Sequence, residues 1–204
     1  MGSLKRILIS SLAGSVVMFV WGGFSHLNLI AGVGFKPLPN ETAVVDALTE
    51  SVRSQGLYFF PERDFSNPTR EHETAWMQRY ENGPVGILVY RPEGGSPFSS
   101  SKMIKQFAAN LVVCLIITIV ALHFKCGYWR RVALIVSLGC MACAAVSTIY
   151  WNWYEFPTRF FLAQWLDQVV GFFLAGLAIS KLIQMGSTSS RPEDWLEAGT
   201  GNVR

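Results

Sequence analysis

The sequence predicts an all-α membrane protein, a four-transmembrane-helix bundle with a small α+β extracytoplasmic cap between helices 1 and 2. Half of the 204 residues are hydrophobic and only 15% are charged, whereas soluble domains carry about 25% charged residues. A spanning helix needs roughly 20 mainly apolar residues. Four stretches have that length and character, at 7–31, 104–124, 132–154 and 160–185.

The first span is predicted to be a retained helix. Lys5 and Arg6 precede it, as in a signal peptide, but the apolar run is too long and has no small-x-small cleavage site. Small residues that favour close helix packing recur near one face: Ser11, Ser15, Gly22 and Ser25. His26 follows on that side, about 7 Å by helical rise from the outer end of the helix.

The cap is predicted between the first two spans. Leu38-Pro39-Asn40-Glu41 is typical of a helix start with Asn40 as N-cap, and this helix is expected to stop near Gly56. Aromatic runs, turn residues and helical periodicity predict three further elements: paired strands at 57–60 and 85–90, and a helix at 69–80 between them. Ser101 is the predicted cap of the second span.

Polar and small residues recur at helical spacing in the other three spans, and these stripes are predicted to face the bundle interior. In helix 2 they are Gln106, Asn110, Cys114 and Thr118. In helix 3 they are Ser137, Met141, Ala144, Ala145, Thr148 and Asn152. In helix 4 they are Gln164, Asp167, Gln168, Gly171, Ala175 and Ala178.

The basic flanks predict the orientation. Lysines and arginines precede helix 1, join helices 2 and 3 and end helix 4, so these ends are expected to be cytoplasmic. The chain is therefore a predicted multi-pass membrane protein with both termini cytoplasmic. Its predicted parts are helix 1 (1–33), the cap (34–103), helices 2–4 (104–185) and a flexible cytoplasmic tail (186–204). Aromatic residues suit the two membrane interfaces: Trp129 inside, and Trp151, Trp153 and Tyr154 outside.

The strongest site hypothesis is a polar pocket in the outer half of the bundle. Helical rise places its members within roughly 3 to 12 Å of the outer boundary: His26, Asn110, Asn152, Gln164, Asp167 and Gln168. A carboxylate in hydrocarbon costs at least about 2.5 kcal/mol, so Asp167 needs a partner, a proton or water, and His26 is the predicted partner. The pocket either fixes the register of the helices or provides Asp167 and His26 for proton exchange or general-base chemistry.

Other site chemistries fit the sequence poorly. His26 and His123 lie near opposite ends of their spans, too far apart to bind one haem iron. Cys140-Met-Ala-Cys143 lies near mid-membrane, where a thiolate is disfavoured, so packing is the predicted role. His72 has no second ligand at metal spacing. No metal or cofactor is therefore predicted, and the scattered lysines and arginines predict no nucleic-acid partner.

Four segments are similar to an uncharacterised family of small bacterial four-span integral membrane proteins. They are Leu38-Pro-Asn-Glu, Gly56-Leu-Tyr-Phe-Phe-Pro, Gly83-Pro-Val-Gly-Ile-Leu-Val-Tyr and Tyr150-Trp-Asn-Trp-Tyr-Glu-Phe-Pro. In that family a proline often precedes the Tyr-Trp-Asn-Trp run, where this chain has Ile149. The resemblance implies the four-span topology and no particular activity. It also implies that the chain is a multi-pass protein of the bacterial inner (cytoplasmic) membrane.

The functional hypothesis is association with other membrane components, as an accessory or stabilising subunit of a membrane complex. The expected partners are the lipid bilayer and other integral membrane proteins, because small-residue faces favour helix association and no nucleophile-base pair is evident. The alternative is a small membrane enzyme or carrier whose outward-facing pocket uses Asp167 and His26 on a lipidic, quinone-like or cationic ligand. A stress-responsive envelope protein without a ligand fits the same residues as the first hypothesis.

Overall fold

The computed structural model describes residues 3–188, so the predicted tail from 189 onwards lies outside the described residues. Six α-helices and two strands are present in this range. They are α1 (Ser3–Phe24), which continues into a π-helical turn (Ser25–Leu29), α2 (Glu41–Ser51), β1 (Gly56–Phe60), α3 (Arg70–Asn82), β2 (Gly86–Tyr90), α4 (Ser100–His123), α5 (Tyr128–Trp153) and α6 (Thr158–Thr188).

Four of the helical segments are long and apolar enough to cross a membrane: Leu4–Leu29, Ser100–His123, Tyr128–Trp153 and Thr158–Gly186. The four predicted spans are thus confirmed as helices, and their length and composition indicate a multi-pass membrane protein. The predicted capping residue of α4 is wrong. The cap of α4 is Ser99, whose hydroxyl accepts the Lys102 N–H at 3.4 Å, and Ser101 lies inside the helix.

The described chain divides into two compact units. The helical unit contains residues 3–34, 98–149 and 157–188, and the second unit contains Phe35–Pro97 together with Tyr150–Phe156. The last turn of α5 and the three residues after it therefore group with the segment between α1 and α4.

In the helical unit, α1 packs closely against both α4 and α6. A Cβ atom added at Gly14 would lie 2.7 Å from Ile179 Cδ1 and 3.1 Å from Cys114 Sγ, so the missing side chain permits this approach. Helices α4, α5 and α6 supply the buried cluster: Cys114, Ile117, Ala121, Ile135, Phe172, Ala175, Ile179 and Ile183. Met18 of α1 packs against that cluster.

Helix α5 packs against α6 through a different face from the predicted one. Gly139 of α5 lies directly under the ring of Phe172, and the Tyr128 hydroxyl donates to the Leu177 carbonyl at 3.2 Å. The buried residues of α5 are Val132, Ile135, Gly139 and Cys143. The predicted interior stripe is wrong for this helix, because Ser137, Met141, Ala145, Thr148 and Asn152 are exposed and Ala144 is half-buried.

The second unit contains the predicted two-stranded sheet. Strands β1 and β2 are antiparallel, with Phe59 opposite Ile87 and Phe60 opposite Gly86. Helix α2 follows Asn40 as expected, but Asn40 has a left-handed backbone (φ 53°) and makes no side-chain cap bond. The helix ends at Ser51, before Gly56.

Arg63, in the loop after β1, contacts helix α3. The guanidinium donates to both carboxylate oxygens of Glu73, from Nε at 3.0 Å and from Nη2 at 2.7 Å. It also lies over the Trp76 ring, 4.9 Å from the ring centroid. This bidentate and cation–π arrangement orders the loop on the helix.

We predict that Gly139→Ala destabilises the helical unit, because the new methyl group meets the Phe172 ring, which is itself buried. Overpacking of this kind costs about 1–3 kcal/mol. The midpoint of thermal unfolding in detergent, followed by size-exclusion chromatography, should fall.

The matched control is Gly23→Ala, since a Cβ atom there has no heavy atom within 4 Å. This variant makes the same chemical change in a helix and should unfold at or slightly above the wild-type temperature. Equal unfolding temperatures for the two variants would contradict the packing of α5 on α6.

Candidate functional site

His26 lies in the π-helical turn that ends the first span. Its Nδ1 atom is 3.0 Å from the Gly22 carbonyl oxygen. Because a carbonyl oxygen can only accept, Nδ1 carries a hydrogen and donates it. The imidazole side chain is 52% exposed, so the ring is bonded to the helix backbone at one nitrogen and is otherwise accessible to its surroundings.

Asp167 of α6 lies beside His26 but is enclosed. Its side chain is only 3% exposed, and its Oδ2 atom is 3.9 Å from His26 Nδ1. That distance permits electrostatic attraction and is too long for a hydrogen bond. The other carboxylate oxygen, Oδ1, is buried and has no hydrogen-bond partner among residues 3–188. The carboxylate thus faces an exposed basic group on one side and has an unused acceptor on the other.

Trp21 joins α1 to α6 at the same level. Its indole Nε1 donates to the backbone carbonyl of Asp167 at 3.1 Å. A Cβ atom at Gly171, one turn along α6, would lie 3.2 Å from Trp21 Cδ1, so the glycine provides room for the indole. Sequence reasoning missed Trp21. Its signal was an indole N–H in an apolar helix, a donor that usually finds an acceptor when it is buried.

The remaining members of the predicted pocket lie in different surroundings. Asn110 is buried, and its Oδ1 accepts from Gln106 Nε2 at 3.0 Å, one turn away on the same helix. Gln164 and Gln168 are half-buried on α6. Asn152 is exposed and belongs to the second unit. The pair that the structure brings together is His26 and Asp167.

The predicted interface aromatics are all exposed. Trp129 is at the start of α5 and contacts Tyr128 edge to face, with ring centroids 5.1 Å apart. Trp151, Trp153 and Tyr154 are at the other end of the same helix. Their positions at opposite ends of one span are compatible with two interfacial belts, which stay a prediction.

The cysteines are all free. Cys143 Sγ is 3.4 Å from Ser147 Oγ, and Cys114 Sγ is 3.6 Å from Met18 Sδ. Cys140 is half-buried on the same helix as Cys143. Within residues 3–188, no three His, Cys, Asp or Glu side chains are grouped closely enough to hold a metal ion.

A second candidate surface is the α5 outer face, defined here as Ala133, Ser137, Met141, Ala145 and Thr148, all exposed. The Ser137 hydroxyl donates to the Ala133 carbonyl at 2.9 Å, so its hydrogen-bonding capacity is partly used inside the helix. Helix α5 also exposes the large apolar residues Met141, Val146 and Ile149, and the exposed faces of the other three spans carry large apolar residues at helical spacing. Examples are Leu8, Leu12 and Val16 in α1, Val112 and Ile116 in α4, and Leu162 and Leu166 in α6.

Comparison with models of protein families, with curated proteins and with solved structures gives no match for this chain. The resemblance to a family of four-span membrane proteins therefore stays a prediction. The candidate sites are therefore inferred from the geometry and chemistry of this chain alone.

We predict that Trp21→Phe loosens the α1–α6 contact, because phenylalanine keeps an aromatic ring but cannot donate to the Asp167 carbonyl. Loss of one such hydrogen bond costs about 1 kcal/mol. Unfolding of the purified protein by increasing denaturant in mixed micelles measures the change.

Trp129→Phe is the matched control, since Trp129 is 68% exposed. This variant should unfold like the wild type. If both variants unfold at the same denaturant concentration, Trp21 does not hold the two helices together.

Proposed function

We propose that this chain is an integral membrane protein that acts by association with other integral membrane proteins, as an accessory or stabilising subunit of a membrane complex. The α5 outer face is the proposed contact surface, and its partner is a transmembrane helix of a different protein. The observation that carries this proposal is the stripe of exposed small and hydroxyl-bearing residues, at helical spacing, along α5.

The chemistry of helix association in lipid supports this choice. Lipid tails are as apolar as leucine, so burial of large apolar side chains gives little drive for helices to associate. Small residues allow two helix backbones to approach, and serine or threonine hydroxyls can bond across the contact. The α5 outer face offers Ala133, Ser137, Ala145 and Thr148 for such a contact, whereas the leucine, valine and isoleucine faces of α1, α4 and α6 suit lipid.

The proposed setting is the bacterial inner membrane, with both termini in the cytoplasm and residues 35–97 outside. The support is the distribution of basic residues in the short flanks of the spans, which favours cytoplasmic ends for α1, for the α4–α5 connection and for the end of α6. In this orientation the segment between α1 and α4 forms the proposed extracytoplasmic cap.

A second candidate function is a small carrier or enzyme with a pocket at Asp167 and His26. The supporting observation is the buried carboxylate oxygen without a hydrogen-bond partner. This candidate involves a different surface from the α5 outer face, so either function can hold without the other.

The association is tested by site-specific photo-crosslinking in native membranes. A photoreactive amino acid at Thr148, on the α5 outer face, should give a discrete adduct, identified by mass spectrometry as a crosslink to a membrane span of another protein. The same probe at Ile116, which is 56% exposed on α4, should give no discrete protein adduct. Ala145→Leu should reduce the Thr148 adduct several-fold, because a large side chain keeps the helices apart.

Three outcomes would contradict the proposal. Equal adducts from Thr148 and Ile116 would indicate random collision. An adduct containing two copies of this chain would indicate a homodimer and not an accessory subunit. An adduct that Ala145→Leu leaves unchanged, with folding intact, would exclude the α5 outer face as the contact.

A further inference from the structure

The Asp167 carboxylate is the one described charged group that is deeply buried and also has an unused hydrogen-bonding atom within the apolar spans. A carboxylate has about four acceptor sites, yet Oδ1 has no hydrogen-bond partner among residues 3–188, and His26 Nδ1 lies 3.9 Å from Oδ2. Arg6 Nε is also buried without a partner in the described chain, but the Arg6 residue as a whole is only half-buried. The other buried groups without a partner there are the Trp165 indole N–H and the hydroxyls of Ser10, Ser11, Thr118 and Ser180. Those groups are neutral, so burial is much less unfavourable for them than for an ionised carboxylate.

We propose that Asp167 is the counter-charge of a binding site for an amphiphile that carries a primary ammonium group. An ammonium group has the three properties that the carboxylate requires. It is positively charged, it provides three hydrogen-bond donors, and it is compact enough to approach between helices. The site therefore binds the head of a long-chain amine or of an aminophospholipid, with its apolar chain along the spans.

The surroundings of Asp167 favour an amphiphile over a water-soluble cation. The site lies between two membrane-length helices, and the rings of Trp21 and Phe24 are adjacent, with centroids 6.1 Å apart. Phe24 is 52% exposed, so an apolar surface continues from the level of the site to the outside of the bundle. Aromatic rings also attract cations through their faces.

His26 is the movable cover of this site. The imidazole is half-exposed, and its Nδ1 atom donates a hydrogen bond to the Gly22 carbonyl, one turn earlier. Rotation of the ring away from Asp167 disturbs no part of the buried cluster. A Cβ atom at Gly22 or Gly23, on the turn before His26, would have no heavy atom within 4 Å. A π-helical turn at this point is also typical of functional sites.

A metal ion is a poorer occupant for the same carboxylate. His26 and Asp167 supply two ligands, and no group of three His, Cys, Asp or Glu ligands exists among residues 3–188. A divalent ion held by protein needs three or four such ligands. An ammonium group forms its hydrogen bonds to the two carboxylate oxygens alone.

The test uses the full-length protein in nanodiscs of phosphatidylcholine at neutral pH, which avoids competing anionic lipid. The probe is a fluorescent long-chain amine with a free terminal ammonium group, and the control probe is the alcohol of the same chain length. The amine should bind saturably to the wild type, and Asp167→Asn should weaken binding about 10- to 100-fold, as expected for hydrogen bonds to a charged group. The alcohol should bind both proteins equally weakly.

Two further variants keep the test decisive if Asp167→Asn folds poorly. Gly22→Leu adds a large side chain one turn before His26, at a position where a Cβ atom has no heavy atom within 4 Å, and should weaken binding of the amine while the protein stays folded. His26→Ala removes the cover and should speed association without weakening affinity. Thermal unfolding of every variant provides the folding control.

The proposal is overturned if the amine binds the wild type and Asp167→Asn equally, if the alcohol binds as tightly as the amine, or if no saturable binding occurs. Loss of affinity in His26→Ala would overturn the role of His26 as a cover. Addition of phosphatidylethanolamine to the nanodiscs then distinguishes the two sources of the ammonium group. Competition with the probe identifies the aminophospholipid as the occupant, and its absence identifies a free amine.

Discussion

The close approach of α1 to α6 is the constraint on which the rest of the helical unit depends. At Gly14 the missing side chain lets the two helices and α4 meet around Ile179 and Cys114. Seven residues later, Trp21 donates to the Asp167 carbonyl. These two contacts are about 10 Å apart along α1, so they fix both the separation and the register of the helices. That register brings His26 to the level of Asp167.

The consequence of this register is an asymmetric pair of side chains. Asp167 is almost completely enclosed, while His26 is half-exposed and held by a backbone carbonyl. A purely structural pair would be expected to have close hydrogen bonds, because a buried charge is stabilised only when its partners also satisfy its hydrogen-bonding atoms. Here the nearest approach is 3.9 Å and one oxygen has no partner in the described chain. The arrangement is better suited to binding a donor than to holding the helices together.

In helix α5, two faces compete for burial against the neighbouring helix. It has two faces rich in small residues, one with Gly139 and Cys143 and the other with Ser137, Ala145 and Thr148. Either face could pack against a neighbouring helix by the same physical rule. The Gly139 face is buried because Phe172 of α6 supplies a ring that fits over the glycine. The other face remains exposed, and it carries small and hydroxyl-bearing residues together with Met141.

The sequence by itself determined the four apolar helices, the two paired strands and the helices around them. Length, hydropathy and turn residues are local properties, and these elements depend mainly on local properties. It also placed His26 and Asp167 at a similar depth, because helical rise converts residue number into position along the span. Depth alone did not determine which groups touch: Asn110 bonds Gln106 on its own helix, and Asn152 belongs to the second unit.

Only the tertiary structure decided the rotation of each helix about its axis. That rotation depends on which side chains fit between neighbours, such as Phe172 over Gly139 and Trp21 over Gly171. As a result of these rotations, the predicted interior stripe of α5 is exposed. The Trp21 indole donates to the Asp167 backbone carbonyl, while one carboxylate oxygen of Asp167 has no partner in the described chain. Such fits involve residues more than a hundred positions apart, and the pattern along any single helix does not contain them.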